Sequence, residues 1–467
     1  MMDYWLESSR VVLPEGVRRA ALRILDGRIA EVLPAAPAGV RVTELGQLVL
    51  SPGLVDCHVH INEPGRTEWE GFETATRAAA AGGVTTLVDM PLNSLPVTTT
   101  RDALQQKLEA CRGQCFVDVG FWGGVIPGNV SQLPGLAAGG VLGCKAFLVH
   151  SGIDEFPNAS EADLLAAMPV LREHGLPLLA HAELEPHAGA EANAGASGDP
   201  RTYRSFLESR PRAWEEAAIA LLIRLCRQTR CPVHIVHLSA ASCLDMLRAA
   251  KDEGLPITVE TCPHYLCLEA EQIADGATEY KCAPPIREHE NREALWQGLL
   301  EGVIDFVITD HSPCTPGLKQ RGQGNFHEAW GGIASLQLGL SNVWTEARRR
   351  GASLEDLARW LSGAPARFAG LARDKGQLRA GLAADLVIWD PDEKYRVESA
   401  RLFFRHKLSP YLGREVHGRV HQTLLAGQVV YDGTNSSVTA TSVPATPTNE
   451  HPAGPIGRLL LHRAGAA

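Results

Sequence analysis

The sequence predicts an α/β protein in which a parallel, TIM-like (β/α)8 barrel is joined to a small β domain formed by both ends of the chain. Eight apolar runs of strand character, bounded by Gly or Pro, alternate with segments of helical composition. Short β-rich segments lie at both chain ends, and each is too small to bury a core alone. Polar side chains stand at the ends of several apolar runs, where barrel enzymes place their active sites.

The composition is that of a large soluble protein. Of the 467 residues, 45% are hydrophobic, which excludes disorder as the overall state. The net charge is −10 and no block of basic residues occurs, so we expect no nucleic-acid partner. The apolar runs are too short for a membrane span, and residues 1–10 lack the features of a secretory signal. The eleven cysteines form no CxxC pair and are typical of buried free thiols, which predicts a cytoplasmic location.

The β domain is predicted from residues 1–51 and 376–433. In the first part, the run Arg19–Leu25 is followed by Asp26-Gly27, a dipeptide that favours a tight hairpin. In the second part, Asp385–Trp389 and Thr423–Tyr431 have the same strand character. We expect the two parts to fold together. Residues 434–467 lack periodicity and predict a flexible C-terminal tail.

The barrel is predicted over residues 52–375. Its eight strand-like runs are 53–60, 84–90, 115–121, 141–149, 177–181, 233–237, 257–261 and 305–310. Such runs, read with the helical segments between them, indicate a parallel sheet buried on both faces. The alternative is a doubly wound open sheet, which is disfavoured because no GxGxxG follows the first strand.

Four histidines and an aspartate lie on or at the ends of these runs. His58 and His60 are two apart, so both imidazoles leave the same face of the first strand. Taken alone, the pair is as typical of hydrogen-bonded core histidines as of a metal site. His181 ends the fifth run, His237 the sixth, and Asp310 the eighth, where a buried carboxylate needs a partner such as a metal. His234 is expected to face outward by strand alternation and to be structural.

Lys145 interrupts the fourth apolar run. Burial there would lower its pKa and make the neutral amine accessible. A neutral amine can react with CO2 to a carbamate, whose two oxygens could bridge two cations about 3.5–4 Å apart. A Schiff-base lysine and a lysine that extends to solvent are the alternatives, and the convergent histidines favour the metal bridge.

Together, these six residues match the binuclear metal set of the amidohydrolase superfamily in order and in strand position. The sequence resembles the cyclic amidase branch, which comprises allantoinases, dihydroorotases and dihydropyrimidinases (hydantoinases), over about residues 45 to 435. The motifs that carry the resemblance are Pro52–His60, Glu63–Gly65, Ala81–Thr86, Glu260–Tyr265, Pro284–Arg287 and Thr309–Cys314. The resemblance implies that the split β domain is a β-sandwich.

Within this branch, the sequence is most similar to the allantoinases. Dihydroorotases carry an arginine two residues after the HxH pair, and this chain has Asn62. Met90–Asn93, Lys281–Arg287, Ala329–Gly332 and His406–Tyr411 resemble allantoinase segments. The segment 147–152 lacks the tyrosine that dihydropyrimidinases usually place after the lysine. The chain departs from the allantoinase pattern in the Ala146 that follows the lysine and in a short loop over 150–160.

The resemblance implies metal-dependent hydrolysis of the hydantoin ring of (S)-allantoin to allantoate, in purine degradation. It implies two divalent ions, zinc first, with iron, cobalt or manganese as alternatives. One ion would be held by His58, His60 and Asp310 and the other by His181 and His237, with an N6-carboxylated Lys145, formed with CO2, between them. Asp310 would be the catalytic proton-transfer residue. Candidate substrate contacts are Asn93, Cys282, Ala283 and Gly331, while His264 and His311 could orient ligands.

Three rival functions stay open on the sequence. A dihydropyrimidinase or hydantoinase would prefer another cyclic amide as substrate. A non-catalytic scaffold would hold no metal, although all six ligands are present. A Schiff-base aldolase would be trapped on Lys145 by borohydride. The resemblance further implies a homo-oligomer, commonly a tetramer, with no nucleic-acid or membrane partner.

Overall fold

A computed structural model of the protein describes residues 2–185, 198–435 and 451–462. Its strands are β1 Asp3–Leu13, β2 Gly16–Leu25, β3 Arg28–Leu33, β4 Val42–Glu44, β5 Val49–Pro52, β6 Leu54–Val59, β7 Val84–Asp89, β8 Asp118–Phe121, β9 Gly123–Gly124, β10 Cys144–Phe147, β11 Leu178–His181, β12 Val233–Ile235, β13 Ile257–Thr261, β14 Phe306–Val307, β15 Leu386–Arg396, β16 Glu415–Leu425, β17 Gln428–Asp432 and β18 Leu459–Leu460. Its helices are α1 Phe72–Ala81, α2 Arg101–Cys111, α3 Leu133–Gly139, α4 Glu161–Glu173, α5 Tyr203–Ser209, α6 Arg212–Thr229, α7 Leu244–Asp252, α8 Pro263–Cys267, α9 His289–Leu300, α10 Pro316–Lys319, α11 Gly339–Arg349, α12 Leu354–Ala358 and α13 Ala364–Phe368.

The predicted β-then-α rhythm produces parallel strands with helices between them. One parallel sheet has the order β14-β13-β12-β11-β10-β9, and a second has the order β18-β8-β7-β6. The third predicted run, 115–121, contributes β8 to the second sheet, while β9, which follows that run, pairs with β10 in the first sheet. In the described residues, the parallel strands form two separate sheets and not one continuous sheet of eight strands. A parallel bridge joins Val59 to His311, so the end of β6 also contacts the chain just after β14.

Local sequence explains where several helices begin. Thr100 caps α2, because its side chain accepts a hydrogen bond from the Ala103 amide. Ser160 and Asp163 form a reciprocal capping box at the start of α4. The inner faces of the helices and the parallel strands share one continuous apolar core. This core fixes the strand ends from which the candidate site is built.

Both chain ends contribute strands to one mixed sheet, as predicted. Its order is β17-β16-β15-β5-β1-β2-β3, with β4 beside β1. Asp26 and Gly27, with φ of 45° and 83°, form the hairpin turn between β2 and β3. The run Thr423–Tyr431, predicted to have strand character, is divided into two strands, because Ala426-Gly427 turns the chain between β16 and β17. The sheet encloses an apolar core of its own, separate from the core of the parallel sheets.

Part of the C-terminal segment is ordered against the parallel sheets, in contrast to the predicted flexible tail. Leu459 and Leu460 pair with Val119 and Gly120 on the free edge of β8. His451 is buried, and its Nδ1 lies 2.8 Å from the Val430 carbonyl oxygen. The prediction of a flexible tail is therefore wrong for residues 451–462. Their strand pairing depends on a distant strand edge, so their own sequence shows little strand pattern. Residues 436–450 and 463–467 lie outside the described part of the chain.

Two further predictions can be compared with the structure. All eleven cysteines are free and buried, as expected from their apolar sequence contexts. Over the described ranges, every helix is too short or too polar to cross a lipid bilayer.

Candidate metal centre

The six predicted ligands come from five different strands and are all buried. His58 lies within β6, and His60 follows the end of that strand. Lys145 is on β10, and His181 is the last residue of β11. His237 and Asp310 follow β12 and β14 by two and three residues. The residues are at most 6% exposed, and the set is His58, His60, Lys145, His181, His237 and Asp310.

The first half of the site is centred on the Asp310 carboxylate. Asp310 Oδ1 lies 3.3 Å from His58 Nε2 and 3.6 Å from His60 Nε2. Lys145 Nζ lies 3.1 Å from the same His58 Nε2. The two imidazoles of the HxH pair therefore face one carboxylate oxygen, as their spacing on one strand face predicts.

The second half is a pair of imidazoles next to the first. His181 Nδ1 lies 3.0 Å from His237 Nε2. The ring centroids of His58 and His237 are 5.3 Å apart, which joins the two halves. Phe147 stacks on His181 with an interplanar angle of 13° and fixes the plane of that ring. All six predicted ligands are thus within one continuous cluster.

Several residues of this region have a left-handed backbone. Asp310 has a φ of 43° and His237 a φ of 39°, and Asn62 and Asn93 have φ of 67° and 73°. Such conformations cost about 1–3 kcal/mol for non-glycine residues and concentrate at functional sites. Here they follow strand ends, and three of the four, His237, Asp310 and Asn93, line the cavity.

Two buried carboxylates lie behind the imidazoles and were not predicted. Glu260 Oε1 lies 2.5 Å from His58 Nδ1, and Glu183 Oε2 lies 2.6 Å from His181 Nε2. Each histidine thereby keeps its other ring nitrogen free to face the site, the arrangement expected of a metal ligand. Arg210 in turn donates to both oxygens of Glu183 at 3.0 and 2.7 Å. The spacing of His181 and Glu183, two apart at a strand end, is a signal that could have identified Glu183.

His234 does not face outward, so that prediction is wrong. Its side chain is fully buried against Phe306 and Phe368, and its Nε2 lies 3.0 Å from Glu260 Oε2. Regular strand pairing in β12 ends at Ile235, so alternation does not extend to His237. His234 therefore supports Glu260 from inside the sheet rather than packing on its outer face.

Burial dominates the electrostatics of the cluster. It lowers the pKa of His58, His60 and His237 well below 6.5, with further lowering from the nearby Lys145 charge. These imidazoles are therefore neutral and can donate lone pairs. Burial also lowers the pKa of Lys145, against the opposing effect of Asp310. Burial raises the pKa of Glu260 to about 8.

The pKa of Glu183 is shifted in the opposite direction to that of Glu260. Burial alone would raise its pKa, but the Arg210 charge and the hydrogen bond to His181 outweigh burial and hold that pKa below its usual value. The carboxylate behind His181 is therefore ionised and acts as an acceptor for the imidazole N–H.

The unpaired atoms of the cluster fit a metal ion. One ligand atom from each of His58, His237 and Asp310 lies within 4.8 Å of the others. Asp310 Oδ1 and His237 Nδ1 are buried without a hydrogen-bond partner among the described residues. Buried polar atoms are rarely left unpaired. Neutral imidazoles and carboxylate oxygens are the donors that zinc and related divalent ions take.

A cavity of about 690 Å³ opens above this cluster. Of the predicted substrate contacts, Asn93, Ala283 and Gly331 line the cavity. Cys282 is buried behind it, with its thiol 3.3 Å from the Pro284 carbonyl oxygen. The Asn93 side-chain nitrogen lies 3.4 Å from His60 Nδ1, so this residue contacts both the cavity and a predicted ligand.

The two accessory histidines have different environments. His311 Nε2 lies 3.2 Å from Glu70, and its Nδ1 accepts from the amides of Ser335 and Leu336. This network holds the segment after β14 in place. His264 is fully buried, and both its ring nitrogens lack a partner among the described residues.

Comparison with known proteins identifies the family. The sequence pattern of the amidohydrolase family matches residues 49–430. An allantoinase of Streptomyces avermitilis is 51% identical over 432 residues, which cover 92% of this chain and 95% of that protein. The chain belongs to the allantoinase family of amidohydrolases. An allantoinase of Arabidopsis thaliana is 44% identical over 92% of this chain and 88% of the relative.

A solved structure shows the same relationship. The L-hydantoinase (dihydropyrimidinase) from Arthrobacter aurescens matches this allantoinase-family chain with a TM-score of 0.88 at 28% identity, over 99% of this chain and all of the other. The predicted resemblance to the cyclic amidase branch is therefore confirmed.

Proposed function

We propose that this protein is an allantoinase, a hydrolase that opens the hydantoin ring of (S)-allantoin to give allantoate in purine degradation. One observation carries the proposal. A buried cluster of neutral imidazoles, one lysine and one aspartate lies at the base of a cavity in a chain 51% identical to an allantoinase. Ring opening of a cyclic amide by water is the chemistry that such a donor set supports.

In this proposal, one divalent ion is held by His58, His60 and Asp310 and the other by His181 and His237. Lys145 lies between the two sets after its amine attacks CO2, which forms an N–C bond and releases a proton. The resulting carbamate would supply oxygen donors to the ions. Zinc is the first choice for these nitrogen and oxygen donors, with iron, cobalt or manganese as alternatives. When bound, the ions supply activation of a water molecule and polarisation of the ring carbonyl.

Asp310 is proposed as the catalytic proton-transfer residue. Hydrolysis joins the water oxygen to the ring carbonyl carbon and breaks the ring C–N bond, and the amide nitrogen leaves poorly unless it gains a proton. Asp310 lines the cavity, and its Oδ1 has no hydrogen-bond partner among the described residues. It can therefore accept the proton of the attacking water and pass it to the departing nitrogen.

The ring is proposed to bind against Asn93, Ala283 and Gly331, with Cys282 supporting the segment from behind. A hydantoin edge alternates carbonyl acceptors and N–H donors, which suits backbone amides and a carboxamide side chain. The neutral Asn62, whose nitrogen donates to the Pro313 carbonyl oxygen at 3.3 Å, offers no cation for a substrate carboxylate. This favours a neutral ring over dihydroorotate.

We further propose that the two parallel sheets are arcs of one (β/α)8 barrel over residues 52–375. Residues 1–51 and 376–433 would form the β-sandwich domain. The Val59–His311 bridge supports this closure. By the same resemblance, we propose a cytoplasmic homotetramer with no nucleic-acid or membrane partner.

A hydantoinase (dihydropyrimidinase) is the second candidate function. The observation that favours it is the structural match to the Arthrobacter aurescens L-hydantoinase. The absence of a tyrosine between residues 147 and 152 argues against it, because dihydropyrimidinases usually bind the ring with a tyrosine in that segment.

A substrate panel tests the proposal. The purified, metal-loaded protein is assayed for kcat/KM with both allantoin enantiomers, hydantoin, dihydrouracil and dihydroorotate. We expect (S)-allantoin to be the best substrate, with activity lost after chelation and restored by zinc. Faster opening of any other ring would overturn the assignment. Metal analysis on the same sample should give two ions per chain, and a sample without metal and without activity would favour the scaffold interpretation.

A further inference from the structure

A single buried ammonium group joins the two backbone segments that border the substrate cavity. Lys319, at the end of α10, is 4% exposed. Its Nζ donates to the carbonyl oxygens of Lys281 at 2.8 Å, Trp330 at 2.9 Å and Gly332 at 2.5 Å. The three donors of the ammonium are therefore matched by three carbonyl acceptors from two separate segments.

The hydrogen-bond acceptors of this ammonium are neutral carbonyl groups. In the described parts of the chain, no carboxylate oxygen forms an ion pair with Lys319, although most other buried lysines and arginines of the protein have one. A buried charge is costly unless it is well hydrogen-bonded. Lys319 is therefore stabilised by the peptide carbonyls alone, and its removal leaves these carbonyls without their charged donor.

The acceptor carbonyls belong to the peptide units next to the proposed substrate contacts. The Trp330 carbonyl shares a peptide unit with the Gly331 N–H, and the Lys281 carbonyl shares one with the Cys282 N–H. In a trans peptide, the C=O and N–H bonds point in opposite directions. Because Lys319 binds the Trp330 carbonyl from the buried side, the Gly331 N–H points away from it, and Gly331 lines the cavity.

The N–H groups on the cavity side are free to bind a ligand. Among the hydrogen bonds of the described residues, neither the Ala283 N–H nor the Gly331 N–H is a donor. Backbone N–H groups rarely stay unpaired. A Cβ built on Gly331 would lie 3.9 Å from the Ala283 nitrogen, so the two groups border the same space. They are suited to a carbonyl oxygen of a cyclic amide.

We propose that Lys319 is a positioning residue for both backbone donors: it holds the peptide unit of the Gly331 N–H directly, and it holds the Ala283 N–H through the adjacent Lys281–Cys282 peptide unit, in the orientation needed to bind the substrate ring. The inference rests on the proposed function, since it assigns a role in binding a cyclic amide. Lys319 touches neither the ring nor the predicted metal ligands. Its removal should therefore weaken substrate binding without changing the metal centre.

Lys281 is the less suitable residue for a test. Its Nζ donates to the carbonyl oxygens of Ala329 and His327 at 2.6 and 3.3 Å, and it also lines the cavity. A substitution there would change the cavity wall and the positioning at the same time. Lys319 separates the two effects, because it is not part of the wall.

The test compares Lys319→Met with Lys251→Met in the metal-loaded protein. The methionine keeps the length of the side chain and removes its donors. Lys251 pairs with Asp305 near the start of β14, away from the strand ends that carry the site, and gives a matched loss of one ammonium. We expect Lys319→Met to raise the KM for allantoin about 10-fold or more, to lower kcat less than about 3-fold and to retain two ions per chain. Lys251→Met should leave both constants unchanged.

A KM for Lys319→Met within about 2-fold of the unmodified value would overturn the inference, as would a loss of metal in a folded variant. If the methionine variant does not fold, Lys319→Arg keeps the charge and several donors in a different geometry. We then expect an intermediate rise in KM at full metal content, and an unchanged KM would overturn the inference. The proposed function fails separately, if the unmodified protein opens another ring faster than allantoin. In that case, the KM values of Lys319→Met and Lys251→Met are compared with that ring as the substrate.

Discussion

Replacing Glu260 by glutamine should weaken one metal site and spare the other. Glu260 Oε1 is 2.5 Å from His58 Nδ1, and its second oxygen is 3.0 Å from His234 Nε2. Glutamine has nearly the same volume but only one acceptor oxygen, so one of the two imidazoles then faces an amide N–H. Burial raises the pKa of Glu260 to about 8, but an ion bound by His58 would favour the ionised carboxylate. In the variant, His58 would therefore lose a charged partner, and the lone pair that it offers to the ion would become less basic.

The expected size of the effect follows from the contact. A hydrogen bond to a charged group contributes about 1.5–3 kcal/mol. Removal of the group behind a metal-bound histidine typically costs about 10–100-fold in metal affinity, which corresponds to about 1.4–2.7 kcal/mol. The two figures agree. We therefore expect Glu260→Gln to bind the ion assigned to His58 about 10–100-fold more weakly.

The assay is a zinc titration of metal-free protein against a competing chromogenic chelator, which reports a dissociation constant for each ion. Glu183→Gln is the reciprocal variant, since Glu183 supports His181, and it should weaken the other ion. Asp305→Asn is the control, because Asp305 is a carboxylate that binds Lys251 and the Val259 amide instead of a histidine. The reasoning is refuted if Glu260→Gln binds both ions as tightly as the unmodified protein.

Three further predictions follow from other contacts. Lys145→Ala should lose metal and most activity, with partial recovery in short-chain carboxylic acids, as measured by metal analysis and initial rates; full metal content in this variant would contradict the bridging role. Asp310→Asn should lower kcat about 10²-fold or more in samples matched for metal content, because the proton acceptor is removed, and an unchanged kcat would exclude that role. Lys375→Met should destabilise the fold by about 3–5 kcal/mol in urea unfolding, since Asp385 remains buried without its cation and Asp118 keeps only the more exposed Arg458. In the unmodified protein these pairs raise the pKa of Lys375 above 10.5, so their stabilisation is complete below pH 10.5 and is lost as the pH rises through the higher folded-state value.

The sequence was sufficient to predict that these six side chains lie close together, because a strand has a simple geometry. His58 and His60 must share a face, and residues at the ends of parallel strands meet at one edge of a sheet. This is why the four histidines, Lys145 and Asp310 form one cluster as predicted. The same rule failed for His234, because β12 loses its regular pairing before His237.

The supporting residues could not be predicted in the same way. Glu260 is on β13, and its contacts to His58 on β6 and His234 on β12 depend on how strands pack across the interior. Lys319 lies on a four-residue helix, and its partners are carbonyl groups, which carry no sequence signal. The pairing of Leu459–Leu460 with β8 depends on a free strand edge 340 residues earlier in the chain. Such contacts are consequences of tertiary structure.

The most direct test of the central claim is a crystal structure of the metal-loaded protein at a resolution that shows the end of the Lys145 side chain. We predict a carboxylated Nζ between two metal ions about 3.5–4 Å apart, with His58, His60 and Asp310 on one side and His181 and His237 on the other. An unmodified Lys145 turned away from the imidazoles, in crystals of fully active protein, would contradict this prediction.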